Sequence, residues 1–153
     1  MEALLHKFYK AFSEKDGEAM AACYHDEVDF KDPVLGPLKG EEARNMWRML
    51  TKGAQDLEVK TDFVTADEQK GVVKWEAEYT FSKTGRKVKN VVVGKFKFKE
   101  GLIISHEDSF NFTTWLKQAF GLTGFLLGKF PFFREKVRKG ARESLARFSA
   151  QRK

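Results

Sequence analysis

Cysteine is nearly absent from this 153-residue chain: Cys23 stands alone, so no internal disulfide can form. Set among Ala, Met and Tyr, it reads as a small buried apolar side chain in a reducing compartment. Histidine is equally sparse. His6, His25 and His106 lie far apart with no partner at ligand spacing, so neither a metal nor another cofactor is expected. Long apolar runs are missing too. The longest stretch without a charge is residues 118–128, 11 residues, where a membrane span needs about 18; no transmembrane segment is expected. Glu2 and the His6-Lys7 pair interrupt any signal-peptide pattern, and the chain reads as a cytoplasmic protein. A chain of this length buries roughly 68 to 70% of its extended surface, enough for one soluble domain without metal or disulfide.

What is present is unevenly charged. The formal net charge is +6, from 28 Lys and Arg against 22 Asp and Glu. Residues 117–153 hold ten of the basic residues and two Glu, leaving 18 against 20 in residues 1–116. The basic character belongs to the tail. Attachment of that tail to nucleic acid or an anionic membrane surface is a third, less favoured reading, because the body has no basic bias to support either and a basic terminal helix is most often a solvated face.

Residues 2–15 carry Leu4 or Leu5, Phe8 and Phe12 at helical intervals, and a second short helix resumes after a break at Gly17. Val28, Phe30 and Asp32 share one face of a short strand that ends at Pro33, with Gly36-Pro37 read as loop. Ala43, Met46, Trp47 and Leu50 then mark one face of a third helix whose first turn is acidic. From residue 57 the period falls to two. Leu57, Val59, Thr61 and Phe63 alternate with polar residues, as do Val73, Trp75, Ala77, Tyr79 and Phe81. Turns at Gly85 and Gly101 separate two more strands, the last running through residues 101–112. Helices followed by an antiparallel meander make an α+β fold. The tail places Phe133, Val137, Ala141, Leu145 and Phe148 along one stripe of a terminal amphipathic helix. Residues 1–116 are therefore expected to form the body, and 117–153 a basic helical extension packed on it.

Alternation also shows which polar side chains point inward. Asp32 is in phase with Val28 and Phe30; His106 and Asp108 are in phase with Leu102, Ile104, Phe110 and Phe112. A carboxylate among aromatic rings needs a hydrogen-bond partner, a raised pKa or a wet cavity. One reading makes these residues a turn cap and a rim hydrogen bond; the other makes them candidate catalytic groups. Trp47, Trp75, Tyr79, Phe96 and Phe110 also fall on inward faces and are candidate substrate-binding residues. A cavity with such walls selects a flat or hydrophobic small molecule.

The segments YHDEVDFKDPVLGPLKGEEARNMW and ISHEDSFNFTTWLKQAFGLTGFLLG, in this order of elements, resemble the SnoaL-like and ketosteroid-isomerase-like group of the nuclear-transport-factor-2-like superfamily. The resemblance implies a curved sheet wrapped around the N-terminal helices as a cone, with a pocket at its open end, and a homodimer. It places Asp32, directly before Pro33, at the general base of ketosteroid isomerases. Phe8 and Gly94 stand where those enzymes carry their oxyanion donors, so that chemistry lacks its donors at these positions. The Arg-x-Asp pair of the related epoxide hydrolases is absent from the chain. Asp108 resembles the late-strand acid of polyketide cyclases, with His106 two residues before it on the same face.

Two readings of function follow. In one, Asp32 or Asp108 moves a proton on a hydrophobic substrate in isomerase, cyclase or hydrolase chemistry, with His106 as partner. In the other, the pocket binds a hydrophobic small molecule, or the domain dimerises, without chemistry. Val91 and Val93 among charged residues on the outer sheet face also suit a homodimer contact.

Overall fold

The computed structural model describes the whole chain, Met1–Lys153. Helix α1 (Glu2–Ser13) buries Leu5, Phe8, Tyr9, Ala11 and Phe12, so one continuous stripe faces the core. Helix α2 (Gly17–Ala22) begins one residue after Asp16, whose side chain accepts the Ala19 N–H as an N-cap. The break thus lies before Gly17 rather than at it. Gly17 itself is pressed against the next long helix, where a Cβ would come within 2.7 Å of the Arg48 Cα.

Strands β1 (Tyr24–Asp32) and β2 (Gly36–Lys39) are followed by α3 (Gly40–Gly53), then by β3 (Glu58–Ala66), β4 (Lys70–Phe81), β5 (Arg86–Lys99) and β6 (Leu102–Ser109). Helices α4 (Phe112–Phe120), α5 (Leu122–Leu127) and α6 (Pro131–Gln151) complete the chain. The six strands form one curved, unclosed sheet in the order β2-β1-β6-β5-β4-β3. Every neighbouring pair is antiparallel except β1 and β6, which run parallel. The fold is α+β, and α1 and α3 fill the concave side of the sheet with Phe8, Phe12, Met46 and Trp47.

Several inward faces differ from the alternation. Gly36–Lys39 is an edge strand paired with β1, because Asp32 and Pro33 already make the turn; Pro37 is tolerated at such an edge. Leu50 is exposed, and Thr51 is buried in its place with its hydroxyl on the Trp47 carbonyl. A register shift between Thr61 and Phe63 flips β3, turning Phe63 to solvent and Val64 and Ala66 inward. On β6, Ile103 is fully buried while Leu102 and Ile104 are half-buried, since both adjacent ladders shift register beside that point. The last strand stops at Ser109: Asn111 caps α4 by accepting the Thr114 N–H, so Phe112 is helical.

The C-terminal helices pack over the part of β4 and β5 that carries Tyr79, Phe81 and Val88. Phe112, Trp115, Leu116 and Ala119 of α4 and Phe133 of α6 form a second core with Val88. Further along α6, Leu145 is buried in the main core. Arg138 Nε donates to the Pro33 carbonyl at 3.1 Å and Arg142 Nε to the Leu35 carbonyl at 2.8 Å, so α6 straps the turn after Asp32.

Candidate active site

Strand register lays out the site in rows. Phe30 on β1, His106 on β6 and Phe96 on β5 lie opposite one another, and so do Asp108 and Gly94 one step further along β6 and β5. The parallel β1–β6 ladder reaches Lys31 and Glu107; the next position on each strand is Asp32 and Asp108. The two aspartates therefore stand side by side on the concave face of adjacent strands.

His106 is enclosed by rings. Its imidazole lies 4.1 Å from the Phe96 ring centroid and stacks at 12° on Trp47, with Phe8 and Phe30 edge-on. Both ring nitrogens are bonded. Nδ1 is 2.6 Å from Tyr24 Oη, and Nε2 is 2.9 Å from Asp108 Oδ1. Trp47 Nε1, which can only donate, gives its hydrogen to Tyr24 Oη at 2.7 Å. The direction of the chain follows. Tyr24 accepts from Trp47 and donates to Nδ1, leaving the hydrogen of a neutral His106 on Nε2, aimed at Asp108. Burial raises the Tyr24 pKa well above its usual range, which keeps the hydroxyl proton available for that role.

Beside this satisfied chain stand two unsatisfied donors. Tyr9 Oη and Trp75 Nε1 are buried without a hydrogen-bond partner. Their rings are neighbours, 5.7 Å apart and tilted; Trp75 lies near enough to Tyr9 to favour its ionised form slightly, without a bond of full hydrogen-bond geometry between them. Tyr9 reaches Asp108: a Cβ on Gly94 would lie 2.9 Å from Asp108 Oδ1 and 3.1 Å from Tyr9 Oη. Glycine at residue 94 therefore leaves room for both groups. Burial, reinforced by the Asp108 charge, pushes the Tyr9 pKa well above the usual phenol value, so it remains a donor.

Asp32 is half-buried. Its Oδ1 accepts the Val34 N–H at 2.9 Å and the Leu35 N–H at 2.6 Å, which fixes the turn through Pro33. Burial pushes its pKa up to about 6, the two N–H bonds oppose that rise, and the Asp108 charge adds to it. Tyr79 sits close enough to feel the Asp32 charge and accepts the Trp115 Nε1–H at 2.8 Å, tying α4 to the site. Phe110 is half-buried between the two cores. The Asp and His groups do not converge as a metal cage.

Among the residues singled out in the sequence, Asp32, His106, Asp108, Trp47, Trp75 and Phe96 share this end of the cone, with Tyr79 at its α4 side. Tyr9 and Tyr24 were not singled out. Tyr9 lies four residues after Leu5 and one after the family position at Phe8, so helical spacing contained the signal. Tyr24 precedes a register shift in β1, where alternation gives no phase. Phe8 and Gly94 supply no donors themselves; Tyr9, one residue along, and Asp108, one strand across, bring a hydroxyl and a carboxyl to the same space.

The model of the SnoaL-like domain family matches residues 5–106, and the chain belongs to that family. Among solved structures, an epoxide hydrolase of the LEH-like type from M. tuberculosis superposes with a TM-score of 0.66 at 18% identity, over 84% of this chain and 96% of that one. TerC, crystallised with polyporic acid, gives 0.66 at 16% identity over 78% and 97%. A protein of ketosteroid-isomerase-like fold from Catenulispora acidiphila, in complex with trimethylamine, gives 0.65 at 12% over 76% and 91%. Likeness at these identities is one of fold. No curated protein matches the chain.

Proposed function

We propose that the protein binds a hydrophobic, carbonyl-bearing small molecule in the cone and moves a proton on it through the carboxylate of Asp32. The observation that carries this reading is the pairing of two side-by-side aspartates with two buried, unpartnered donors, Tyr9 and Trp75. Unpartnered buried donors cost stability, of order 1 to 3 kcal/mol each, and their retention fits a bound oxygen that completes them. A carbonyl oxygen accepting from Tyr9 Oη–H and Trp75 Nε1–H would be held as negative charge develops on it. Asp32, largely ionised at neutral pH yet more basic than an ordinary aspartate, takes a proton from the carbon beside the carbonyl. The C–H electron pair moves into the C–C bond as the carbonyl oxygen becomes an enolate; Asp32 then gives the proton back, to the same carbon in a simple ketone or to the far carbon where a C=C is conjugated with the enolate, as the C=O re-forms. The Trp47-Tyr24-His106 chain orients Asp108 next to that oxygen. Polyporic acid, the ligand crystallised with TerC, is in keeping with a flat aromatic guest.

The test uses proton exchange, which needs no knowledge of the natural substrate. With a polycyclic ketone as probe in deuterated buffer, the wild type should accelerate exchange at the carbon beside the carbonyl. Asp32→Asn should lower that rate by about 10²- to 10⁴-fold while tryptophan quenching shows ketone binding preserved. Binding without exchange in the wild type would favour the non-catalytic module, for which the packing of α4 and α6 over the Tyr79 side of the sheet is the supporting observation.

A further inference from the structure

Helix α5 shows its apolar side to water. Leu122, Phe125 and Leu126 fall on one face, and they are 72%, 61% and 53% exposed. The opposite face is held against α4 through Gly124, where a Cβ would come 2.0 Å from the Leu116 carbonyl oxygen, so the helix cannot roll over to bury its large side chains. The patch continues across the α5–α6 elbow. The rings of Phe130 and Phe132 lie 5.9 Å apart, and Phe132, in the first turn of α6, is 65% exposed. Five large apolar side chains within eleven residues are thus left uncovered, and exposed patches of this kind mark interaction sites.

The surroundings of the patch are predominantly cationic. Lys117 Nζ lies 5.2 Å over the Phe125 ring and Lys129 Nζ 5.4 Å over the Phe130 ring. Beyond Phe132, two shallow grooves on α6 add Arg134, Lys136 and Lys139. Glu135 and Glu143 also line these grooves, engaged with Arg138 at 3.5 Å and with Lys139 at 3.9 Å, so the cations outnumber the acids there.

We propose that this face docks on an anionic lipid bilayer, the five apolar side chains entering the headgroup–acyl boundary and the lysines meeting lipid phosphates. Two features favour that occupant. A second copy joined by two-fold symmetry would set the cationic rim against itself, whereas an anionic surface complements it. The apolar side chains are also strongly exposed, from 41% at Phe130 to 72% at Leu122, as insertion into an interface requires. Docking would place α4, bonded to the candidate site through Trp115 and Tyr79, directly behind the membrane face.

The full chain is tested by co-sedimentation with vesicles of phosphatidylcholine, with and without phosphatidylglycerol. Binding is expected only with the anionic lipid, weakening as salt is raised. Lys117→Gln and Lys129→Gln should each weaken it about fivefold. Phe125→Ser and Phe132→Ser should weaken it while leaving its salt dependence and the melting temperature unchanged, because neither ring is part of a core. Equal binding to both vesicles, or charge and ring variants that bind like wild type, would overturn the proposal. So would a patch that fails to bind anionic vesicles and instead joins two copies, shown by self-association that Phe125→Ser abolishes, or that instead holds an acidic protein.

Discussion

Asp32 combines two opposing influences: its carboxylate is held by two backbone N–H groups, yet burial keeps its proton on up to a pH of about 6 against an ordinary value of 3.8. A folded-state pKa above the unfolded value means the native state binds more protons between those two points, so stability falls as pH rises from about 4 to 6 and stays lowered above. Asn in its place keeps an oxygen for the Val34 and Leu35 N–H groups and removes the ionisation. Asp32→Asn should therefore match wild type near pH 3.5 and become the more stable protein above pH 6, by at most about 3 kcal/mol. Urea denaturation at several pH values measures this directly; a gap that does not grow between pH 4 and 6 would show that the carboxyl is not desolvated. The same residue thus links chemistry and stability, since the burial that weakens the fold at neutral pH is what makes the carboxylate a stronger base.

At the scale of elements, α6 joins the tail to the body in two different ways. Leu145 and Phe133 are buried in the two cores, whereas Arg138 and Arg142 reach sideways to the carbonyls of Pro33 and Leu35. Leu145→Ala should cost about 2 to 5 kcal/mol by the cavity it leaves, and it should also loosen the turn that carries Asp32; thermal unfolding checks the first effect. A melting temperature unchanged by Leu145→Ala would mean α6 does not hold the fold together. The stripe containing these residues was readable in the sequence because the helix is regular over 21 residues. Strand faces were readable for the same reason along β4 and much of β5, where pairing is continuous, and there the inward Trp75 and Phe96 followed from period two. Phe63, Leu102 and Ile104 were misplaced where a ladder shifts register, since one extra residue sends every later side chain to the other face. Asp32, His106 and Asp108 lie beyond or between those irregularities, which is why their inward phase survived, while the bond from Tyr24 to His106 spans 82 residues and has no local signature.

For the molecule as a whole, the outer face of the sheet offers a surface distinct from the α5 patch. Phe63, Lys74 and Val93 form one row across β3, β4 and β5, and Lys60, Glu76 and Val91 form the next. Phe63 is 55% exposed, and Val91 and Val93 are exposed beside it. The charges in these rows already pair locally, Lys74 with Asp62 at 3.0 Å and Lys89 with Glu76 and Glu78 at 3.4 Å, in water-exposed bridges that add little stability. Such bridges can be exchanged for equivalent ones across a two-fold axis, because a face carrying both signs in alternation is complementary to itself, and the apolar side chains between them lose water on contact. The α5 face, with its predominantly cationic rim, lacks that self-complementarity. A homodimer through the sheet is therefore expected, with both α5 faces left free. Sedimentation equilibrium at micromolar concentration should find twice the 17.6 kDa chain mass. Val91→Lys, which places a charge in the apolar centre of the contact, should shift the population to monomer without lowering the monomer's own stability, since the side chain is exposed there. A wild type that sediments as a monomer would refute the dimer, and a dimer indifferent to Val91→Lys but dispersed by Phe125→Ser would assign the two surfaces the other way round.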